Sequence, residues 1–150
     1  MQRSRNYLIG YLPVLIWMCV IFSASGDRAS FQHSSHIIGP IFLWLFPNAS
    51  PHTVHAVVFF IRKCAHLTEY AILAILLLRA LQVTNAGQHL WHARHARIAL
   101  LIVALYAATD EFHQSFVPTR EASVWDVLID TTGAALALCI IWAFNRFRRR

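Results

Sequence analysis

The charged segment from Arg62 to Tyr70 constrains the fold more than any other part of the chain, because apolar residues lie on both sides of it. In a helix, spacings of four and three residues place Arg62, His66 and Glu69 on one face. Ionisable side chains in hydrocarbon are costly and usually face a bundle interior or a watery cavity, paired with one another. The sequence therefore predicts that this face of the helix points into a polar site inside a membrane-spanning bundle.

The composition supports a membrane protein of one domain. Hydrophobic residues make up 57% of the 150 residues and charged residues only 13%, whereas soluble domains carry about a quarter charged residues. The basic residues gather near the termini and in one loop, without a basic face that interleaves aromatic residues, so no nucleic-acid partner is expected. Cys19, Cys64 and Cys139 each lie in an apolar segment, which indicates buried thiols rather than a disulfide framework.

The apolar segments and their boundaries predict an all-α protein with four transmembrane helices in a single domain, residues 1–150. The predicted helices cover about residues 7–24, 51–81, 98–117 and 124–145. Arg3 and Arg5 before the first apolar run resemble a signal peptide, but the bulky aromatic residues within that run favour a permanent helix.

Two connections have distinct predictions. The segment Ile37 to Phe46 is apolar but too short to span a bilayer, and Gly39-Pro40 is predicted to break it, so an interfacial or re-entrant piece is expected between the first two spans. Residues 82–97 are polar and are predicted to form a loop. His89, His92 and His95 within that loop have a spacing that could bind a metal, but without nearby carboxylates or cysteines, solvated histidines are favoured.

The basic residues also predict the orientation. Nine of the 13 lysine and arginine residues fall on the side of the two termini and four on the other side. By the positive-inside rule both termini are then cytoplasmic. This orientation places the charged segment of the second span, the end of the third span and the start of the fourth at one depth, in the outer half of the bilayer.

Acidic residues of the third and fourth spans complete the predicted site. Asp110 and Gln114 share a face of the third span, whereas Glu111 lies about 100° away and is expected to pair with Lys63 or Arg120. Asp126 can be interpreted as part of a capping box with Ser123. Asp130, one turn deeper, has no such role.

Gly133 and Ala137 continue the face of Asp130 along the fourth span. Small residues spaced by four in this way predict close approach of a neighbouring helix.

The ordered motifs RK-x-x-H-x-x-EY at Arg62 to Tyr70 and DE-x-x-Q at Asp110 to Gln114 resemble the VanZ-like family of bacterial membrane proteins. Residues Phe22 to Ser25 and the set Arg120, Ser123, Asp126, Asp130 and Gly133 strengthen the resemblance. It implies a location in the bacterial cytoplasmic membrane. It also implies a connection with glycopeptide resistance, because the founding member is associated with low-level resistance to teicoplanin, a lipoglycopeptide.

The functional prediction is a site that binds or modifies a lipid, a lipid-linked cell-wall precursor or a glycopeptide antibiotic. The candidate acid/base residues are Glu69, Asp110, Asp130 and His66. The candidate ligand-binding residues are Arg62, Lys63, Tyr70, Glu111, Gln114, Arg120 and Asp126. The carboxylates could instead hold a hard divalent cation, but no metal motif, nucleophile elbow or P-loop is present. No cofactor and no reaction are therefore assigned.

Two other interpretations of the charges stay open. The chain could be a small oligomeric transporter or proton-coupled subunit that uses His66 and the carboxylates as a relay. It could also be a structural or partner-binding membrane protein in which the charges form a buried ion-pair network.

Overall fold

The structure, a computed structural model, describes residues 2–26, 31–84, 92–118 and 122–148. These residues form five α-helices and, within the described ranges, no strand, which confirms the predicted all-α class. The helices are α1 (Gln2–Ala24), α2 (Phe31–Leu45), α3 (Pro51–Thr84), α4 (Ala93–Gln114) and α5 (Val124–Phe147).

Three of these helices are long and apolar enough to cross a membrane: α1 over Tyr7–Ala24, α3 over Pro51–Val83 and α5 over Val124–Phe147. They coincide with the predicted spans at 7–24, 51–81 and 124–145. Large apolar side chains on their outer surfaces, such as Phe60 and Ile140, are exposed, as expected of residues that contact lipid. The chain is therefore a membrane protein.

Helix α4 overlaps the third predicted span, residues 98–117, but is less apolar than α1, α3 and α5. Its last turns carry Asp110, Glu111, His113 and Gln114, and these polar residues lower its hydropathy. The helix ends at Gln114, three residues before the predicted end.

The predictions for the two connections were wrong in part. Helix α2 continues through Gly39-Pro40, because a proline removes only one backbone N–H donor and packing on a neighbouring helix can hold the remaining turns. Helix α3 continues to Thr84 and helix α4 begins at Ala93, so residues 82–84 and 93–97, which the sequence predicts as a polar loop, are helical. Alanine and arginine have high helix propensity, and polarity alone did not distinguish this turn from a loop.

Helix α3 is the centre of the bundle and packs against all four other helices. Its closest neighbour is α5, where Gly133 is buried against it. A Cβ atom added at Gly133 would lie 2.2 Å from the carbonyl oxygen of Leu67. Ala137, one turn further along, is buried as well. The predicted close approach along this small-residue stripe is confirmed.

Two interhelical hydrogen bonds hold α1 in place. Trp17 Nε1 donates to the carbonyl oxygen of Glu69 at 2.9 Å, and the Tyr106 hydroxyl donates to the carbonyl oxygen of Met18 at 2.6 Å. Both acceptors are backbone groups, so these bonds fix the position of α1 along α3 and α4. As a result, the carboxyl end of α1 lies beside the charged segment of α3.

Candidate functional site

Polar side chains from four helices meet at one level of the bundle. This level contains the carboxyl ends of α1 and α4, the amino end of α5 and the charged segment of α3. The side-chain contacts that join them are Ser25 to Asp110, Tyr70 to Asp110, His66 to Asp130 and Lys63 to Asp126. The structure thus brings together the charged segment of α3 and the acidic residues that the sequence placed at the same depth.

A cavity of about 90 Å³ lies between α1, α2 and the charged segment of α3. Arg62, His66 and Glu69 all line it, as predicted from their spacing along one helix face. Ser25 from α1 and Ser34 from α2 complete its polar wall. A space of this size holds several water molecules or a small polar group.

Asp110 is almost completely buried and its carboxyl group is fully hydrogen bonded. The Tyr70 hydroxyl and Gln114 Nε2 donate to its Oδ2 atom at 3.2 and 3.0 Å. Its Oδ1 atom lies 2.5 Å from the Ser25 hydroxyl, so Asp110 contacts the cavity through Ser25.

The Ser25 hydroxyl has two neighbours that can accept its single hydrogen. One is Asp110 Oδ1, and the other is the carbonyl oxygen of Ile21 at 3.0 Å. An ionised Asp110 accepts the hydrogen from Ser25, whereas a protonated Asp110 donates to Ser25, which then donates to Ile21. Both arrangements satisfy the carboxyl group, so the pair can accommodate one proton more or one proton fewer without moving any heavy atom.

Among the acidic residues that the structure describes, Asp130 is the most deeply buried, with no exposed surface. Among the described residues, neither of its carboxyl oxygens has a hydrogen-bond partner. Its ion-pair neighbour is His66, whose Nδ1 atom lies 3.5 Å from Oδ1. Because His66 lines the cavity, Asp130 lies directly behind the cavity wall.

Glu111 contacts the amino end of α5 and not Lys63. Its Oε2 atom accepts a hydrogen bond from the backbone N–H of Ser123 at 2.9 Å, and Ser123 caps α5 by accepting from the N–H of Trp125. The expected pairing of Glu111 with Lys63 was wrong, because Lys63 contacts Asp126 instead. The alternative partner, Arg120, lies outside the described residues.

The predicted capping box of Ser123 and Asp126 was also wrong. In such a box the acidic residue accepts from the N–H of the capping residue, and here Glu111 of α4 takes that position. The Asp126 carboxylate instead forms an ion pair with Lys63, while the Lys63 ammonium also lies 5.1 Å from the Phe59 ring centroid. These contacts join α5 to α3 and α4 at the edge of the site.

The Lys63–Asp126 pair is expected to be structural and therefore to tolerate exchange of its two charges. Both side chains are partly exposed, so Asp126→Asn or Lys63→Met should each lower the free energy of unfolding by about 1 kcal/mol. The double variant Lys63→Asp with Asp126→Lys should recover most of that loss. Equilibrium unfolding in mixed micelles measures the free energy of unfolding of each variant. A double variant no more stable than the single ones would show that the pair does not stabilise the bundle.

Comparison with known proteins identifies the family. The model of the VanZ/LLP1 family matches residues 8–145. The chain belongs to the VanZ/LLP1 family. No curated protein and no solved structure gave a significant match.

The VanZ/LLP1 match extends over the entire site and also over α2 and the connection between α3 and α4. These two segments lay outside the resemblance noted in the sequence. Helix α2 is part of the site, because Ser34 lines the cavity.

Sequence reasoning placed most site residues of this VanZ/LLP1 protein but missed the contribution of two serines. Ser25 and Ser34 line the cavity and were not among the candidate residues. The Ser-Ala-Ser end of the first span was a signal for Ser25, since a helix end with small hydroxyl residues can face a polar site. Ser34 carried no comparable signal, because its role depends on how α2 folds back on α3.

The histidine tract shows no metal site in the part of the chain that the structure describes. The rings of His92 and His95 contact each other edge to face, with centroids 5.2 Å apart. His89 lies outside the described residues.

Proposed function

We propose that this VanZ/LLP1 family protein binds the polar headgroup of an amphiphile in the cavity between α1, α2 and α3. One observation supports the proposal most strongly: a small cavity lined by Arg62, His66 and Glu69 lies in front of two buried carboxylic acids. Ionisable groups at membrane depth mark a functional site by default. The cavity provides space for a ligand next to these groups, whereas an ion-pair network without a cavity would provide none.

The chemistry of the cavity wall suits a charged headgroup. Arg62 can bind a phosphate or carboxylate through two parallel hydrogen bonds. His66, with Nδ1 directed at Asp130, would exchange a proton with an occupant through Nε2. Ser25 can pass a proton to or from Asp110 on the other side. The cavity therefore combines anion binding with two routes for proton transfer, as a site that modifies its ligand requires.

The surroundings of the cavity favour an amphiphile over a wholly soluble ligand. Helix α2, which contributes Ser34, exposes apolar side chains from Ile37 onward, among them Ile41 and Trp44. Apolar side chains around a polar cavity suit a ligand with a polar head and a hydrocarbon tail. Membrane lipids, lipid-linked cell-wall precursors and lipoglycopeptides such as teicoplanin have this form.

We also propose four membrane spans, α1, α3, α4 and α5, and both termini in the cytoplasm of a bacterial cell. Helix α4 has 22 residues, or about 33 Å of length, which is enough for a hydrocarbon core of about 30 Å. Its side chains Leu101 and Leu105 are exposed, as they would be against lipid. The basic residues favour cytoplasmic termini, which places the cavity in the outer half of the bilayer.

The topology is testable with reporters fused after Arg150. A green fluorescent protein fused there should fluoresce, and alkaline phosphatase fused there should be inactive, because both report a cytoplasmic terminus. Active phosphatase at this position would overturn the orientation and place the cavity in the inner half of the bilayer.

Native mass spectrometry of the purified protein tests the binding proposal. The protein should retain an amphiphile from its membrane, and Glu69→Gln should lose most of it while keeping the same unfolding midpoint. Thr132→Val, on the exposed face of α5, removes a polar group outside the cavity and should leave the amphiphile bound. If Glu69→Gln and Thr132→Val retain the same amphiphile equally well, the cavity is not its binding site.

A buried structural network remains the second candidate, and two contacts favour it for part of the cluster. The Lys63–Asp126 pair and the Glu111–Ser123 hydrogen bond each join two elements away from the cavity wall. If the whole cluster is of this kind, Glu69→Gln should lower stability and leave the bound lipids unchanged.

A further inference from the structure

We propose that the cavity selects a zwitterionic headgroup, one that carries an anionic phosphate and a primary ammonium group together. This inference rests on the proposed function and names the ligand class of the same site. It follows from the order of charges along the cavity wall, where a cation and an anion flank a histidine.

Arg62, His66 and Glu69 occupy three successive turns of α3 and line one cavity. Glu69 lies seven positions after Arg62, which corresponds to about 10 Å along the helix axis. Both side chains are long and flexible, so they can approach a single ligand from opposite ends of the cavity. The wall is therefore positive at one end and negative at the other.

A purely anionic headgroup would suit only half of this wall. Its phosphate could bind Arg62, but the remainder of the headgroup, such as glycerol, is uncharged and would form no ionic contact with Glu69. An ammonium group at that end adds a charge-assisted hydrogen bond with Glu69.

The hydroxyl groups of the wall fit the same ligand. Ser34 can donate to a phosphate oxygen, and Ser25 can donate or accept because its hydrogen has two alternative positions. A quaternary ammonium has no N–H to donate to Glu69, so the primary amine should bind better than its trimethylated form. The ligand class is thus narrowed to phosphate linked to a primary amine, as in an ethanolamine phospholipid.

Lipid exchange into nanodiscs that contain the intact protein tests this specificity. The probes are phosphatidylethanolamine, phosphatidylcholine and phosphatidylglycerol with identical acyl chains, and bound lipid is counted by native mass spectrometry. We expect phosphatidylethanolamine to bind roughly tenfold more tightly than either of the others, the effect of one charge-assisted hydrogen bond. Free phosphoethanolamine in a competition arm distinguishes a soluble ligand from a lipid.

Variants of Glu69 and Arg62 separate the contribution of the negative end of the cavity from that of the positive end. Glu69→Gln should reduce the preference for the amine lipid to about equality while leaving phosphatidylglycerol binding unchanged. Glu69→Asp should preserve the preference for the amine lipid. That result would show that the reduced preference of Glu69→Gln comes from the missing charge and not from loss of folding. Arg62→Gln should weaken binding of all three lipids, and Thr132→Val should change none of them.

The outcomes distinguish failure of the zwitterion preference from failure of the proposed headgroup site. Equal binding of the three lipids that still depends on Arg62 would overturn the zwitterion preference and support the headgroup site. No binding of any lipid would overturn both. Displacement by free phosphoethanolamine, with the same dependence on Glu69, would support the headgroup chemistry and assign it to a soluble source.

Discussion

Replacing Gly133 with alanine is expected to lower the free energy of unfolding by about 3 kcal/mol. The new Cβ atom would lie 2.2 Å from the carbonyl oxygen of Leu67 and 2.9 Å from its carbonyl carbon. Both atoms belong to the backbone of α3, so no side-chain rotation can relieve the overlap and the two helices must separate. The separation would also move Asp130 away from His66, because these residues lie on the same two helices.

Gly10 provides the matched control for this substitution. A Cβ atom there would lie 3.4 Å from the Cα atom of Ala80, which is an ordinary contact, and alanine is favoured over glycine in a helix by about 1 kcal/mol. Gly10→Ala should therefore be as stable as the parent protein or slightly more stable. Equilibrium unfolding in mixed micelles measures both variants, and equal stability of the two would contradict the close packing of α3 on α5.

Removal of the Asp110 carboxyl group is expected to have the second large effect. Asp110→Ala leaves Tyr70 and Gln114 without their acceptor in a buried site and leaves Ser25 only the carbonyl oxygen of Ile21, at a cost of about 4 kcal/mol. Asp110→Asn should cost about 1 kcal/mol or less. The amide nitrogen can donate to Ser25 while the amide oxygen accepts from Tyr70 and Gln114, as a protonated aspartate would.

This pair of variants separates structure from function at the same position. Asp110→Asn keeps the hydrogen bonds but cannot ionise, so it should fold normally and lose the proton-transfer function proposed for the Ser25–Asp110 pair. Thermal or chemical unfolding measures the stability of each variant. Any phenotype that the protein confers, such as teicoplanin tolerance, reports its function. An Asp110→Asn variant that is as unstable as Asp110→Ala would show that the carboxylate charge itself holds the bundle together.

The sequence allowed prediction of those features that depend on helical periodicity. The shared face of Arg62, His66 and Glu69 follows from their spacing, and the close approach at Gly133 follows from the spacing of small residues. The shared level of Asp110 and Asp130 followed from alternating the direction of successive helices. Each of these inferences needs only the geometry of single helices and the order of the spans.

Features that depend on how helices rotate against each other could not be predicted in this way. The choice of Asp126 rather than Glu111 as the partner of Lys63 depends on the rotation of α5 relative to α3. The contact between Ser25 and Asp110 joins residues 85 positions apart, and no local pattern identifies it. The continuation of α2 through Pro40 likewise depends on its packing against α3, which the sequence of α2 alone does not contain.

Photo-crosslinking of a phospholipid that carries a diazirine next to its phosphate tests most directly whether the cavity holds a headgroup. In nanodiscs, the label should concentrate on the cavity wall, on Ala65 and its neighbours in α3 and on Ser34 in α2. Arg62→Gln should reduce labelling there several-fold and leave labelling elsewhere unchanged. A label spread evenly over the lipid-facing surface, at positions such as Leu105 and Ile140, and insensitive to Arg62→Gln would contradict a headgroup site in this cavity.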